Sequence, residues 1–250
     1  TISMLQYTYE IQRPVANTPG NRRNLFGYEA TLQQATEVQP EQTWPDKEHV
    51  ILVQQLLLDT RAELDAEMHA WVDSASAGQK LEICFRSIRV VWKSGRAFVQ
   101  APDGHVQAAL DAILDYALLA RAIANAEEQA RTLGEQMLQL MQHNESRLQI
   151  PSLRKYLNEA TQLALNLVDI RPYCELPART GEVTISTRLR TELLTQAQTS
   201  DGLDLLEHRL EIVLDGLEAQ LQRTQESWRG TLETWIGLSI LALLVLDYIS

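Results

Sequence analysis

The sequence predicts a mostly α-helical protein with a small antiparallel sheet, an α+β fold whose long C-terminal stalk helix runs into a single transmembrane helix. Strand-like alternation is confined to the part before residue 102, and apolar residues recur at helical spacing after it. The chain then ends in an almost uncharged stretch. We therefore expect four segments: a small α+β domain (1–102), a helical domain (103–200), a coiled-coil-like stalk (201–233) and a transmembrane helix (234–250).

The first segment carries the strand signals. Apolar and polar residues alternate over residues 2–11, which predicts a strand. Residues 46–74 hold apolar side chains at helical spacing after an N-cap candidate and predict a helix. Residues 81–100 predict a hairpin that turns at Ser94-Gly95, with a phase slip after Phe85 that a bulge would explain. We expect the N-terminal strand to be the third strand of this sheet.

The middle of the chain is predicted to be helical. Apolar periodicity predicts helices over residues 103–143, 151–171 and 185–197. Residues 171–181 have the most loop-like composition and are the expected hinge, and the terminal helix is expected to begin near Gly202.

The stalk has one narrow apolar stripe, and its other faces are charged. Side chains three or four residues apart form this stripe, as in a helix that packs against a partner helix: Leu206, Leu210, Val213, Leu217 and Leu221. We expect the stripe to be the seam of a homo-oligomer or of a complex with another protein.

The last stretch is predicted to insert into a membrane. The residues from Ile236 to Leu246 carry no charge, and Trp235 and Tyr248 bracket them as interfacial aromatics. The run is shorter than the roughly 20 residues of a typical span, and the alternatives are a packed C-terminal helix or an oligomer seam. The predicted anchor residues are Trp235, Ile236, Leu238, Ile240, Leu241, Leu243, Leu244 and Leu246, and Asp247 would be an acid inside or at the edge of the span.

Composition limits the partners. The formal net charge of −11 and the lack of a basic patch argue against nucleic acid. Two cysteines, Cys84 and Cys174, are too few for a disulfide framework and indicate a reducing compartment. Arg223 and Arg229 precede the apolar run, which predicts that the bulk of the chain lies on the cytoplasmic or organelle-matrix side of a membrane that its C-terminus contacts.

No catalytic, metal or cofactor site is predicted. Asp65 and His69, like Asp204 and His208, have metal-compatible spacing but lack a third ligand nearby, and we interpret them as surface pairs. No histidine is near Cys174 in sequence, so we interpret it as a structural thiol rather than a nucleophile.

The C-terminal part resembles a known family. The stalk sequence LEHRLEIVLDGL (206–217), the pair Leu232-Glu233, the apolar run after it and Asp247 are similar to the family named for "required for meiotic nuclear division". This resemblance implies a membrane-anchored organellar or bacterial protein without a known catalytic site. The architecture also looks like that of CorA-type magnesium channels, although the Gly-Met-Asn signature of that family is absent from the sequence.

Three function classes follow from these patterns. The first, which we expect, is a non-catalytic anchored scaffold or assembly subunit that oligomerises or docks a partner through its long helices. The second is an ion-conducting oligomer, in which Asp247 and the acidic residues of the stalk would face a common axis. The third is a soluble enzyme whose site combines residues distant in sequence.

Overall fold

The computed structural model describes residues 4–12, 22–25, 28–33, 36–38, 49–55, 65–75, 78–142, 150–175 and 184–249; residues 22–25, 38, 65 and 241–249 are described by their backbone only. In chain order the elements are β1 (Met4–Gln12), β2 (Arg22–Leu25), β3 (Tyr28–Leu32), β4 (Thr36–Val38), β5 (Val50–Gln55), α1 (Asp65–Asp73), β6 (Leu81–Phe85), β7 (Ile88–Lys93), β8 (Arg96–Ala101), α2 (Asp103–Gln142), α3 (Ile150–Cys174), α4 (Ile185–Gln196) and α5 (Thr199–Ile249).

The strands form one mixed sheet. Its order is β2-β3-β1-β5-β8-β7-β6, and β4 pairs with β1. The central pair, β5 and β8, is parallel and all other pairs are antiparallel. The prediction of an antiparallel sheet was therefore wrong at its centre, where two strands distant in sequence lie side by side. The N-terminal strand belongs to this sheet, but β5 separates it from the hairpin.

The predicted helix over residues 46–74 was wrong at Val50–Gln55, which is strand β5, and right at Asp65–Asp73, which is helical. Residues 46–48 and 56–64 lie outside the described part of the chain. Consecutive apolar residues in β5 are buried on both sides, and a strand in this environment shows no period of two. Its side chains therefore also matched a helical spacing.

The hairpin over residues 81–100 is confirmed. β7 and β8 join through Ser94 and Gly95, which both have positive φ, at 45° and 86°. The phase slip after Phe85 is a second two-residue turn between β6 and β7, with Arg86 at φ 54°, and not a bulge. Each change of phase along this segment thus marks a reversal of chain direction.

Helices cover both faces of the sheet. On one face α1 packs over the strands in a cluster that includes Met68, Trp71, Leu52 and Phe98. On the other face Tyr116 of α2 meets Trp92 edge-on, with ring centroids 5.6 Å apart. This layered arrangement explains why β5 and β8 are buried along almost their whole length.

The chain divides into two compact units. The first contains the sheet and combines Thr1–Ala124 with Asp169–Leu203. The second combines Asn125–Val168 with Asp204–Ser250, and its described residues are helical. These two units are defined by which residues pack together. The four contiguous segments expected above were defined by sequence pattern, and they remain a prediction.

The helix predictions after residue 103 are confirmed, but the membrane span is not. Helices α2, α3 and α4 match their predicted ranges within a few residues, and α3 continues through Pro172. Over the described residues, none of the helices combines the length and the apolar character that crossing a bilayer requires. The predicted transmembrane helix at 234–250, the tail anchor and the membrane location were therefore wrong. The uncharged run from Ile236 to Leu246 is well short of the roughly 20 residues that a spanning helix needs.

Candidate docking surface

The apolar stripe of the stalk lies mainly inside the second unit. Leu206, Leu210, Val213 and Leu217 are buried, and Leu221 is partly exposed. Val213 faces Gly134 of α2, where a Cβ atom added to the glycine would lie 3.8 Å from Val213 Cγ2. One copy of the chain therefore already covers four of the five side chains, and their role between copies stays a prediction.

Full burial along α5 ends at Thr224, and Trp228, one turn later, is still partly covered. Thr224 is the last residue of α5 that is buried among those whose side chains the structure describes. The helix continues to Ile249, about 37 Å further along its axis at 1.5 Å per residue. From Thr231 to Ile240 every side chain is exposed, including Trp235 at 66%. A helix this apolar is ordinarily buried against another surface.

Three large side chains form a ridge along this part of α5, Trp228 partly covered and the other two exposed. Trp228, Leu232 and Trp235 are spaced i, i+4 and i+7, so they lie on one face of α5, and we call them the apolar ridge. Ile236, Leu238 and Ile240 widen the apolar surface beside it and are more than half exposed. Contiguous exposed apolar surface of this kind marks an interaction site.

Four hydroxyl groups along the ridge already donate hydrogen bonds. Hydroxyl groups along this part of α5 each donate to the backbone carbonyl four residues earlier, over 2.8–2.9 Å: Thr224, Thr231, Thr234 and Ser239. Arg229 and Glu233 are the only charged residues between Ser227 and Ile240, and their charges cancel. The surface can therefore be covered by apolar groups without leaving a hydroxyl unpaired.

The remaining predicted anchor residues lie outside the described side chains. These are Leu241, Leu243, Leu244, Leu246 and Asp247, for which the structure describes only the helical backbone. Trp235, Ile236, Leu238 and Ile240 are the members of that set whose exposure is known.

The candidates for chemistry do not gather into a site. His69 Nε2 lies 3.0 Å from Arg89 Nη2, and His208 Nδ1 lies 3.6 Å from Glu211 Oε2 on an exposed helix face. No group of three or more potential metal ligands occurs within the described residues. Burial raises the pKa of Cys174 to about 11, and Glu175 adds to this increase, so the thiol is protonated at neutral pH and is a poor nucleophile.

Trp228 and Leu232 were not among the predicted site residues, and the face that they share with Trp235 was missed. Their i, i+4, i+7 spacing with Trp235 was the available signal. It was hidden because the whole stretch is apolar and was interpreted as a single membrane-facing surface.

No protein-family model matches this chain, and no curated protein is similar to it at a significant level. The resemblance to the "required for meiotic nuclear division" family and the likeness to CorA-type channels therefore remain predictions from the sequence.

Proposed function

We propose that this protein is a non-catalytic assembly subunit whose copies associate through the apolar ridge of α5. The observation that carries this proposal is the exposure of Trp235, Leu232 and their apolar neighbours beyond the last buried residue, Thr224. Covering a large apolar side chain is worth about 1.5–3 kcal/mol, so burial of the ridge alone supplies several kcal/mol toward association.

A second copy suits this surface for two reasons. The ridge is apolar, and its two charged neighbours, Arg229 and Glu233, have opposite signs, so the ridge itself brings no net charge to the contact. Most acidic side chains of α5, such as Glu207 and Glu218, precede the ridge in the helix, and Glu233 lies within its span together with Arg229. Symmetric homo-oligomers are also the commonest protein assemblies.

The salt dependence of binding distinguishes self-association from binding to a basic protein. Each copy carries a formal net charge of −11, so two copies repel each other at long range. Salt screens this repulsion over about 8 Å at physiological ionic strength. We therefore expect self-association to strengthen as salt is raised, whereas binding to a basic partner would weaken.

Light scattering of the full chain tests the proposal. The chain is expected to form oligomers at micromolar concentration, and Trp235→Glu is expected to make it monomeric because a charge would be buried at the contact. Ile212→Glu is the matched control, since Ile212 is also exposed on α5 but points roughly to the opposite side. Neither change should unfold the chain, which circular dichroism would verify.

Three results would contradict the proposal. They are a monomeric chain at all concentrations, equal effects of Trp235→Glu and Ile212→Glu, and attachment of the ridge to a different protein or to a lipid surface without self-association.

A further inference from the structure

A groove lies between α2 and α3 in the second unit. Its volume is about 390 Å³, within the range of roughly 300–1,000 Å³ for protein ligand clefts. Its lining includes Leu133 and Leu163, both nearly fully buried, the amides of Gln136, Gln162 and Asn166, and the carboxylates of Glu128 and Glu159. This lining suits a large side chain that combines an apolar body with a hydrogen-bond donor.

One acceptor in the lining lacks a donor. Gln136 Oε1 is buried and has no hydrogen-bond partner among the described residues, whereas Gln162 donates to Asn166 Oδ1 over 3.3 Å. An unpaired buried acceptor is unfavourable, and binding of a donor would relieve it. Rotation about the terminal torsion of Gln136, which is a soft torsion, would turn its amide toward the groove.

Trp235 has the complementary chemistry. Its indole offers a large apolar body and a single N–H donor, and it is two-thirds exposed at 66%. We propose that the groove of each copy receives Trp235 of the second copy, with Gln136 accepting the indole N–H. This inference rests on the proposed self-association and assigns the surface that the ridge meets.

The lengths of the helices are compatible with a reciprocal exchange. Gly134, next to Leu133 at the groove, lies opposite Val213, which sets the level of the groove along α5. Trp235 follows Val213 by 22 residues (235 − 213), or about 33 Å along the helix. If a two-fold axis lies halfway between Val213 and Trp235, the two α5 helices are antiparallel, and Trp235 of each copy lies at the level of Val213, and so of the groove, of the other copy.

The exchange would complete a familiar architecture. The end of α5 from one copy would lie along α2 and α3 of the other, so that each second unit becomes a four-helix bundle. Within one copy, α2 and α5 run in the same direction, and α3 runs in the opposite direction. The α5 helix of the second copy is antiparallel to the first, so it would run in the same direction as α3. Ser239, one turn after Trp235, would then lie near Asn166.

Disulfide trapping between copies tests this arrangement. In a chain carrying Cys84→Ser and Cys174→Ser, one preparation receives Asn166→Cys and another receives Ser239→Cys. Mild oxidation of the mixture is expected to give a mixed covalent dimer. Leu165→Cys mixed with Ser239→Cys is the control, because Leu165 neighbours Asn166 but is exposed and does not line the groove. That mixture is expected to give no covalent dimer.

The hydrogen bond is tested separately. Gln136→Leu and Trp235→Phe are each expected to weaken association about fivefold, the effect of one hydrogen bond, and the double variant should weaken it no further. Independent, multiplying losses would contradict the contact between these two side chains.

The outcomes separate the inference from the proposed function. A monomeric chain would overturn both. Oligomers that Trp235→Glu disrupts, but that give covalent dimers of Ser239→Cys with itself instead of with Asn166→Cys, would show contact between two ridges and overturn this inference alone.

Discussion

Gly216 of α5 lies directly against Met137 of α2. A Cβ atom on Gly216 would be 2.5 Å from Met137 Sδ and 3.4 Å from its Cε, closer than real carbon contacts. The two helices therefore approach each other closely because this position has no side chain. Met137 fills the space that any other residue at position 216 would occupy.

Gly216→Leu is expected to lower the free energy of unfolding by about 1–3 kcal/mol, because the added side chain overpacks this contact. Gly202→Leu is the matched control in the same helix, since a Cβ there would meet nothing within 4 Å. The control should be neutral or stabilising by up to about 1 kcal/mol, because it replaces glycine in a helix. Urea denaturation of both variants measures the difference, and equal changes would contradict the close approach.

The buried amide pair at the centre of the sheet provides a second prediction. Gln100 Nε2 donates to Gln54 Oε1 over 2.8 Å between the parallel strands β5 and β8, and both residues are buried. Gln100→Leu would leave the Gln54 acceptor unpaired and is expected to cost about 1–3 kcal/mol of stability. Adding Gln54→Leu should recover part of this loss, since both polar groups are then gone. Chemical denaturation of the two single variants and the double variant tests the coupling, and additive losses would argue against it.

Cys174 should make the stability of the protein sensitive to alkaline pH. Burial, with a smaller contribution from Glu175, raises the pKa of the thiol to about 11, above the ordinary thiol value of about 8.5. The unfolded chain loses this proton at a lower pH than the folded chain does. The stabilising contribution is therefore complete below about pH 8.5 and is lost as the pH rises toward about 11.

Alkylation with iodoacetamide, followed by mass spectrometry, measures the ionisation of Cys174 directly. The rate at Cys174 should keep rising up to about pH 11 in the native chain and level off near pH 8.5 in urea. Cys174→Ser should reduce the loss of stability above pH 9. Coincident alkylation profiles in the native and urea-unfolded chains would contradict the raised pKa.

The accuracy of the sequence predictions follows the range of the interactions. Helices α2, α3 and α4 and the hairpin β7–β8 depend on spacing within a few residues, and these were predicted correctly. Strand β5 was missed because its identity depends on pairing with β8, more than forty positions later in the chain, and on cover from both sides. A run of apolar residues does not report which of these environments surrounds it.

The candidate docking surface was likewise only partly predictable from the sequence. The apolar character of Trp235, Ile236, Leu238 and Ile240 was evident from the sequence, but its interpretation as a membrane span was wrong. The groove at Gln136 could not be found from sequence, because its lining comes from two helices whose packing leaves a gap.

Local pattern thus determined that this chain is largely helical, that a hairpin precedes the long helices α2 to α5, and that α5 changes from amphipathic to apolar along its length. Those features depend on backbone preferences and on side chains within one or two turns of each other. Only the tertiary structure decided that the sheet has a parallel centre, that the chain buries Leu206 to Leu217 itself, and that full burial along α5 ends at Thr224. Burial depends on which distant segments become neighbours, and no local spacing encodes that.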